Sequence, residues 1–138
     1  MLTCIRLVGF LSLMTPTALP AAPIILRCAL ETTVQSSSEP ETRSHDTRYI
    51  MLDDKKKHFR FFDPTSRSTE SACSGFPCKL GYGADLITLD LEGHEPGFDM
   101  TLLLKLDRRT GVFFERTQFK AATPTVVTSS GKCKPFRP

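Results

Sequence analysis

The residues of this chain that could do chemistry fall into a few small groups. Asp90, Glu92 and His94 stand at alternate positions of one segment, which puts two carboxylates and an imidazole on the same face of a strand. These are ligands for a divalent ion when their lone pairs converge. A straight strand spaces i and i+2 by about 7 Å, so convergence needs a curled backbone, and a solvated strand end accommodates the same residues. The expectation is therefore no metal, with Asp90, Glu92 and His94 as the positions to inspect. Lys55, Lys56 and Lys57 form a cationic run that could meet an anionic surface or simply be solvated. Arg108 and Arg109 sit in Asp107-Arg108-Arg109-Thr110-Gly111. Phe76 lies in Cys73-Ser-Gly-Phe-Pro-Cys78; arginines and aromatic residues are the usual anchors of protein interfaces.

Catalytic signatures are missing. No Gly-x-Ser-x-Gly elbow occurs, and Ser74-Gly75 lacks its preceding context. Asp53 and Asp54 are adjacent, so on a strand they would point to opposite faces. No glycine-rich phosphate loop stands between a strand pattern and a helix pattern. The expectation is a protein that is not an enzyme and carries no cofactor. A small hydrolase using His58 or His94 with a carboxylate is the remaining catalytic option. The chain lacks Asn, which excludes N-glycosylation and any chemistry that needs an Asn amide.

Those groups need a scaffold, and its compartment comes first. Residues 1–22 read MLTCIRLVGFLSLMTPTALPAA: one cation, a short apolar run and then small residues, the order of a secretory signal peptide. The run is shorter than the ~20 residues of a membrane helix. A periplasmic or secreted single β-domain over 23–138 is expected, with no membrane span in the mature chain. Cys4 leaves with the leader, and Cys28, Cys73, Cys78 and Cys133 remain, an even set suited to an oxidising compartment. Three pairings are possible. The turn-forming residues between them favour Cys73–Cys78, which leaves Cys28–Cys133 to tie the first strand to the tail.

Composition supports one ordinary domain. The chain has 138 residues, 40% of them hydrophobic and 24% charged, with a formal net charge of +3. That mild excess gives no reason to expect nucleic-acid binding. Period-two alternation dominates after the leader. Leu26, Cys28, Leu30 and Val34 share one face. Tyr49–Leu52 and Phe59–Phe62 flank a charged hairpin tip at Asp53–Lys57. Ile87, Leu89 and Leu91 oppose Thr88, Asp90 and Glu92, and Phe98–Asp107 alternates in the same way. Val112–Phe119 and Thr125–Thr128 complete the set.

Ser36–Asp46, Asp63–Gly83 and Gly93–Gly97 read as connections, and Gly111 suits a positive-φ bulge position. The fold class is all-β: an antiparallel meander of about seven strands, closed into a small barrel or folded into two packed layers. Strict alternation of such strands would bring Asp53–Lys57 and Gly93–Gly97 to one end, setting the lysines near Glu92 and Glu95. Ser36–Asp46, the cysteine loop and Arg108-Arg109 would gather at the other.

The leader, Arg27-Cys28, Leu106–Gly111 and Gly131-Lys132-Cys133 resemble the corresponding parts of small secreted bacterial proteins with a signal peptide and a disulfide-tied β-meander. The resemblance covers the two ends and one hairpin. It implies export and a β-fold, and transfers no activity. The expected function is non-catalytic binding of a protein or small ligand outside the cytoplasm, through the loop end with Phe76, Arg108 and Arg109. A barrel carrying a small apolar ligand is the alternative.

Overall fold

The computed structural model describes residues 22–138, so the expected signal peptide lies almost wholly outside the described residues. Every regular element among them is a strand: β1 Ile24–Ser36, β2 Thr42–Asp53, β3 His58–Phe62, β4 Thr69–Ser71, β5 Cys78–Tyr82, β6 Leu86–Glu95, β7 Phe98–Asp107, β8 Val112–Lys120 and β9 Thr125–Phe136. They form one antiparallel sheet in the order β4-β3-β2-β1-β9-β8-β7-β6-β5, which curls into a half-barrel.

The all-β class and the meander hold, with nine strands instead of about seven. The two unforeseen strands, β4 and β5, occupy the stretch expected to be a connection. Both are short and rich in small or polar residues, and alternation over three to five positions is too brief to read. Three segments are more extended than expected. Ser36–Asp46 contains the start of β2, and β6 runs through Gly93 to Glu95, leaving Pro96-Gly97 as the turn with Gly97 at φ 94°. β9 continues past Thr128 through Ser129, Ser130 and Gly131, residues with little intrinsic strand preference. Pairing on both sides, to β8 and to β1, holds them extended.

The first and last strands do meet. β1 and β9 pair over their whole length, and the Cys28–Cys133 disulfide joins directly opposite residues of the two. The sheet nevertheless does not close, because β4 and β5 are its two edges. The Cys73–Cys78 disulfide staples the connection between these edges. Counting antiparallel pairs from β1 along both arms of the sheet shows that β4 and β5 run in the same direction.

That single departure from alternation inverts every later strand relative to the expected meander. The turns 54–57, 83–85 and 108–111 therefore share one end of the half-barrel, and 37–41, 96–97 and 121–124 share the other. Lys55, Lys56 and Lys57 consequently lie at the opposite end from Glu92 and Glu95. Arg108 and Arg109 join the lysine turn, away from the β1–β2 connection.

Inward-facing residues divide along the strands. Toward the 108–111 end β1, β2, β3, β6, β7, β8 and β9 contribute Cys28, Leu30, Ile50, Leu52, Phe59, Ile87, Leu89, Leu104, Leu106, Phe113 and Cys133 to the buried core. Farther along, β3 no longer flanks β2 beyond Ile50, and β5 no longer flanks β6 beyond Leu91. There the central strands β1, β2, β8 and β9 present Thr32, Arg48, Glu115, Thr117 and Ser129 on the concave face, whereas β6 and β7 stay apolar with Leu91, Leu102 and Met100 beside Phe76. The Thr32 and Ser129 hydroxyls are hydrogen-bonded at 2.9 Å. Arg48 donates to Glu115 at 2.8 Å, and its guanidinium carbon lies 5.4 Å from the Phe61 ring centre and 5.7 Å from that of Phe113. A cation between two aromatic faces with a carboxylate partner is well compensated for leaving water.

Candidate functional site

The expected site residues are distributed over three places. Asp90, Glu92 and His94 do alternate along the outer face of β6, all exposed. Among the described residues no three His, Cys, Asp or Glu side chains converge as a metal site. Hydrogen-bonded neighbours on both sides of β6 hold it extended over Asp90 and Leu91, and the curl that convergence requires is absent. His94 instead bonds through Nδ1 to Asp99 Oδ1 at 2.9 Å across the β6–β7 hairpin. That carboxylate holds the imidazole above its ordinary pKa of 6.5. Among the described residues no hydroxyl or thiol is hydrogen-bonded to His94. His58 is exposed on the first residue of β3.

Phe76 is half-buried and packs against the inner face of the sheet. Its ring lies against Gly93, where an added Cβ would stand 3.2 Å from two ring carbons, with Met100 also adjacent. Gly93 thus leaves room for the aromatic lid, and the Cys73–Cys78 disulfide holds the loop that carries it. Met100 and the Arg108 turn are separated by most of β7, about 23 Å for the seven steps to Asp107. Phe76 and the arginines therefore do not form one surface.

Arg108 and Arg109 sit on a well-determined hairpin tip. Asp107 Oδ1 accepts from the backbone N–H groups of Arg109 and Thr110 at 2.9 and 3.1 Å. Those two bonds keep the Asp107 carboxyl below its ordinary range. Gly111 closes the turn at φ 76°, the positive-φ position expected from the sequence. A Cβ there would fall 2.3 Å from the carbonyl oxygen of Cys133, so only glycine fits.

From this tip Arg108 reaches across the gap between the sheet edges. Its guanidinium grips both carboxylate oxygens of Asp54, at 2.9 and 3.0 Å, and donates to the carbonyl of Gly83 at 3.3 Å. It also stacks 5.6 Å from the centre of the Tyr82 ring. The Tyr82 hydroxyl donates to Asp54 at 2.8 Å. Arg108 and then Tyr82 hold Asp54 below its ordinary pKa. Burial, followed by the neighbouring Asp54 carboxylate, pushes the Tyr82 phenol up to about 12. These three residues lock together the tips of the β2–β3, β5–β6 and β7–β8 hairpins. Sequence reading had no signal for the triad, since its members are 28 and 54 positions apart.

The locked end is cationic. Lys55, Lys56, Lys57, Arg108, Arg109, Lys134 and Arg137 cluster there, against Asp53, Asp54, Asp85 and Asp107. Asp53 is occupied in accepting the backbone N–H of Lys56 at 3.0 Å. Asp54 and Asp107 have the partners described above. Among the described residues Lys55, Lys56, Lys57 and Arg109 have no side-chain ion pair. The opposite end carries Glu39, Glu41, Glu92, Glu95 and Asp99 against Arg43 and Lys120. The protein is therefore electrically polarised along its strands despite a net charge of only +3.

A hollow of about 420 Å³ opens beside the arginine turn. Ile24, Leu26, Leu52, Leu106 and Pro135 line it, together with Asp107, Arg108 and Arg109 of the turn. It exists because β1 and β9 run out here and the inward face of the last register has no opposing layer. The core behind it is filled, with Leu104, Leu106, Ile50, Ile87 and Phe113 all fully buried.

No protein-family model, curated protein or solved structure matches this chain. Its two disulfides are those of an oxidising, non-cytoplasmic environment. Among the described residues no helix is long and apolar enough to cross a membrane.

Proposed function

We propose that the chain is a non-catalytic, periplasmic or secreted binding protein that engages an anionic partner through its cationic end. The observation that carries this reading is the Asp54–Arg108–Tyr82 lock. It consumes one arginine to fix three hairpin tips and leaves Lys55, Lys56, Lys57 and Arg109 outward on a braced platform. Bracing matters because cations held in place before contact lose less conformational freedom on binding. A cationic patch also steers an anionic partner to this face. Phe76, half-buried beside Gly93 and Met100 toward the other end, has no part in the contact.

Retention on a heparin matrix at increasing salt tests the proposal against plain net charge. Arg109→Glu combined with Lys56→Glu should elute at much lower salt than Arg43→Glu combined with Lys120→Glu, which makes the same charge change at the acidic end. Equal losses from the two pairs would reject a site at the arginine end.

A further inference from the structure

We infer that the hollow beside Arg109 holds the hydrocarbon tail of a single-chain anionic amphiphile, whose carboxylate, sulfate or phosphate head group is met by Arg109. This rests on the reading of the cationic end as the binding surface and names the class of ligand it takes. Two properties meet at one place. The walls are aliphatic, supplied by Ile24, Leu26, Leu52, Leu106 and Pro135, and the turn beside them supplies Arg108 and Arg109, with the Asp107 carboxylate taken up by the Arg109 and Thr110 backbone N–H groups.

A polyanion would use the rim and leave the apolar walls wet. A neutral hydrocarbon would use the walls and gain nothing from the charge. A molecule with one acidic head and one alkyl tail satisfies both. The volume of about 420 Å³ lies in the range of ligand sites, roughly 300–1,000 Å³.

Charge geometry favours Arg109 as the head-group contact. Arg108 is already committed to Asp54 through two bonds and to the Gly83 carbonyl. Arg109 uses only its backbone N–H in the turn, so its guanidinium is available. Because Asp54 binds Arg108, the adjoining Lys55–Lys57 turn is drawn up beside the same rim and adds positive potential without occupying the hollow. Ile24 is an open wall, 41% exposed, and a tail that covers it removes apolar surface from water.

The test is calorimetric titration of the purified protein with alkyl carboxylates from acetate to dodecanoate, each below its micellar concentration. Affinity should rise up to about fourfold per added methylene, the gain expected for full burial, and level off when the hollow is full. Decanol should bind at least tenfold more weakly than decanoate. Arg109→Gln should remove that preference for the acid. Ile24→Ser, at an exposed position where folding is not at stake, should flatten the dependence on chain length.

Chain-length-independent binding overturns the inference. So does binding to phosphatidylglycerol vesicles without binding of monomeric decanoate, which would make the end a membrane-surface contact. If alkyl acids fail while heparin retention still depends on Arg109 and Lys56, the amphiphile is wrong and the cationic surface stands. If both fail, both readings fall.

Discussion

The two halves of the concave face are built from the same strands and solve the same problem differently. Near the arginine turns the strands surround a filled aliphatic and aromatic core. Toward the other end only the longer strands continue: on β1, β2, β8 and β9 the inward positions carry the Arg48–Glu115 pair with the Thr32 and Ser129 hydroxyls, while β6 and β7 keep Leu91, Leu102 and Met100 beside Phe76. The difference follows from the lengths of β3, β4 and β5. Where these short strands flank the sheet, inward side chains are dry and apolar. Where they stop, the inward polar side chains of the central strands stay largely buried and satisfy one another, with Glu115 8% and Ser129 1% exposed as whole residues. Arg48 marks the boundary, its side chain 24% exposed and that of Glu115 only 11%.

The comparison can be broken most severely at the bond that spans the apolar half. Replacing Cys28 and Cys133 with Ser should cost about 4–5 kcal/mol in urea unfolding, by the chain-entropy estimate for a loop of roughly 100 residues. A loss under about 1 kcal/mol would mean that the β1–β9 ladder alone holds the ends. Leu104→Ala, in the dry half, should lose about 2–5 kcal/mol. At the buried polar positions Glu115→Ala should cost about 2–3 kcal/mol, since it strands Arg48 between two rings. The double replacement Arg48→Met with Glu115→Leu should recover most of that loss. Failure to recover would show that the ion pair itself, and not merely its mutual compensation, stabilises the boundary.

The lock at the cationic end should have a smaller effect on stability, because the Asp54 side chain is 44% exposed. Asp54→Ala is expected to cost about 1 kcal/mol or less. Its pH dependence has a definite sign. The Asp54 carboxyl is held below its ordinary 3.8, so its contribution is present above that range and fades as the pH falls through the lowered value. Tyr82 has the opposite sign. Its pKa rises from 10.0 to about 12, so its contribution is complete below pH 10 and disappears between 10 and 12. Ultraviolet titration of the phenol checks this directly, and Asp54→Ala should bring the midpoint back toward 10. The smallest effect belongs to His94. Asp99→Asn should lower its pKa in an NMR titration without moving the melting temperature.

Legibility in the sequence followed the same division. The dry half was readable wherever apolar residues alternate over many positions, as in Ile87-Leu89-Leu91 and Phe98–Asp107, because burial on one face writes itself into every second residue. Cys28, Cys133, Cys73 and Cys78 were readable from compartment and parity, and Gly111 from its turn. β4, β5 and the serine-rich stretch of β9 were not, since their neighbours impose the extended form. That β4 and β5 run in the same direction had a larger consequence than two unforeseen strands, because it brings Lys55–Lys57 and Arg108, expected at opposite ends, to the same one. Arg48 with Glu115, and Asp54 with Tyr82 and Arg108, are partnerships across distant strands, and nothing local announces them.

The bond between opposite residues of β1 and β9 also determines how the fold would respond to being pulled. Ile25 faces Phe136, and only the pairs Ile25–Phe136, Leu26–Pro135 and Arg27–Lys134 precede the cystine on that side. Tension applied at the two ends would unzip those three rungs one after another and then meet a covalent stop. With the cystine intact the remaining ladder carries no load, so reduction would turn a mechanically shielded sheet into one that can be peeled open rung by rung.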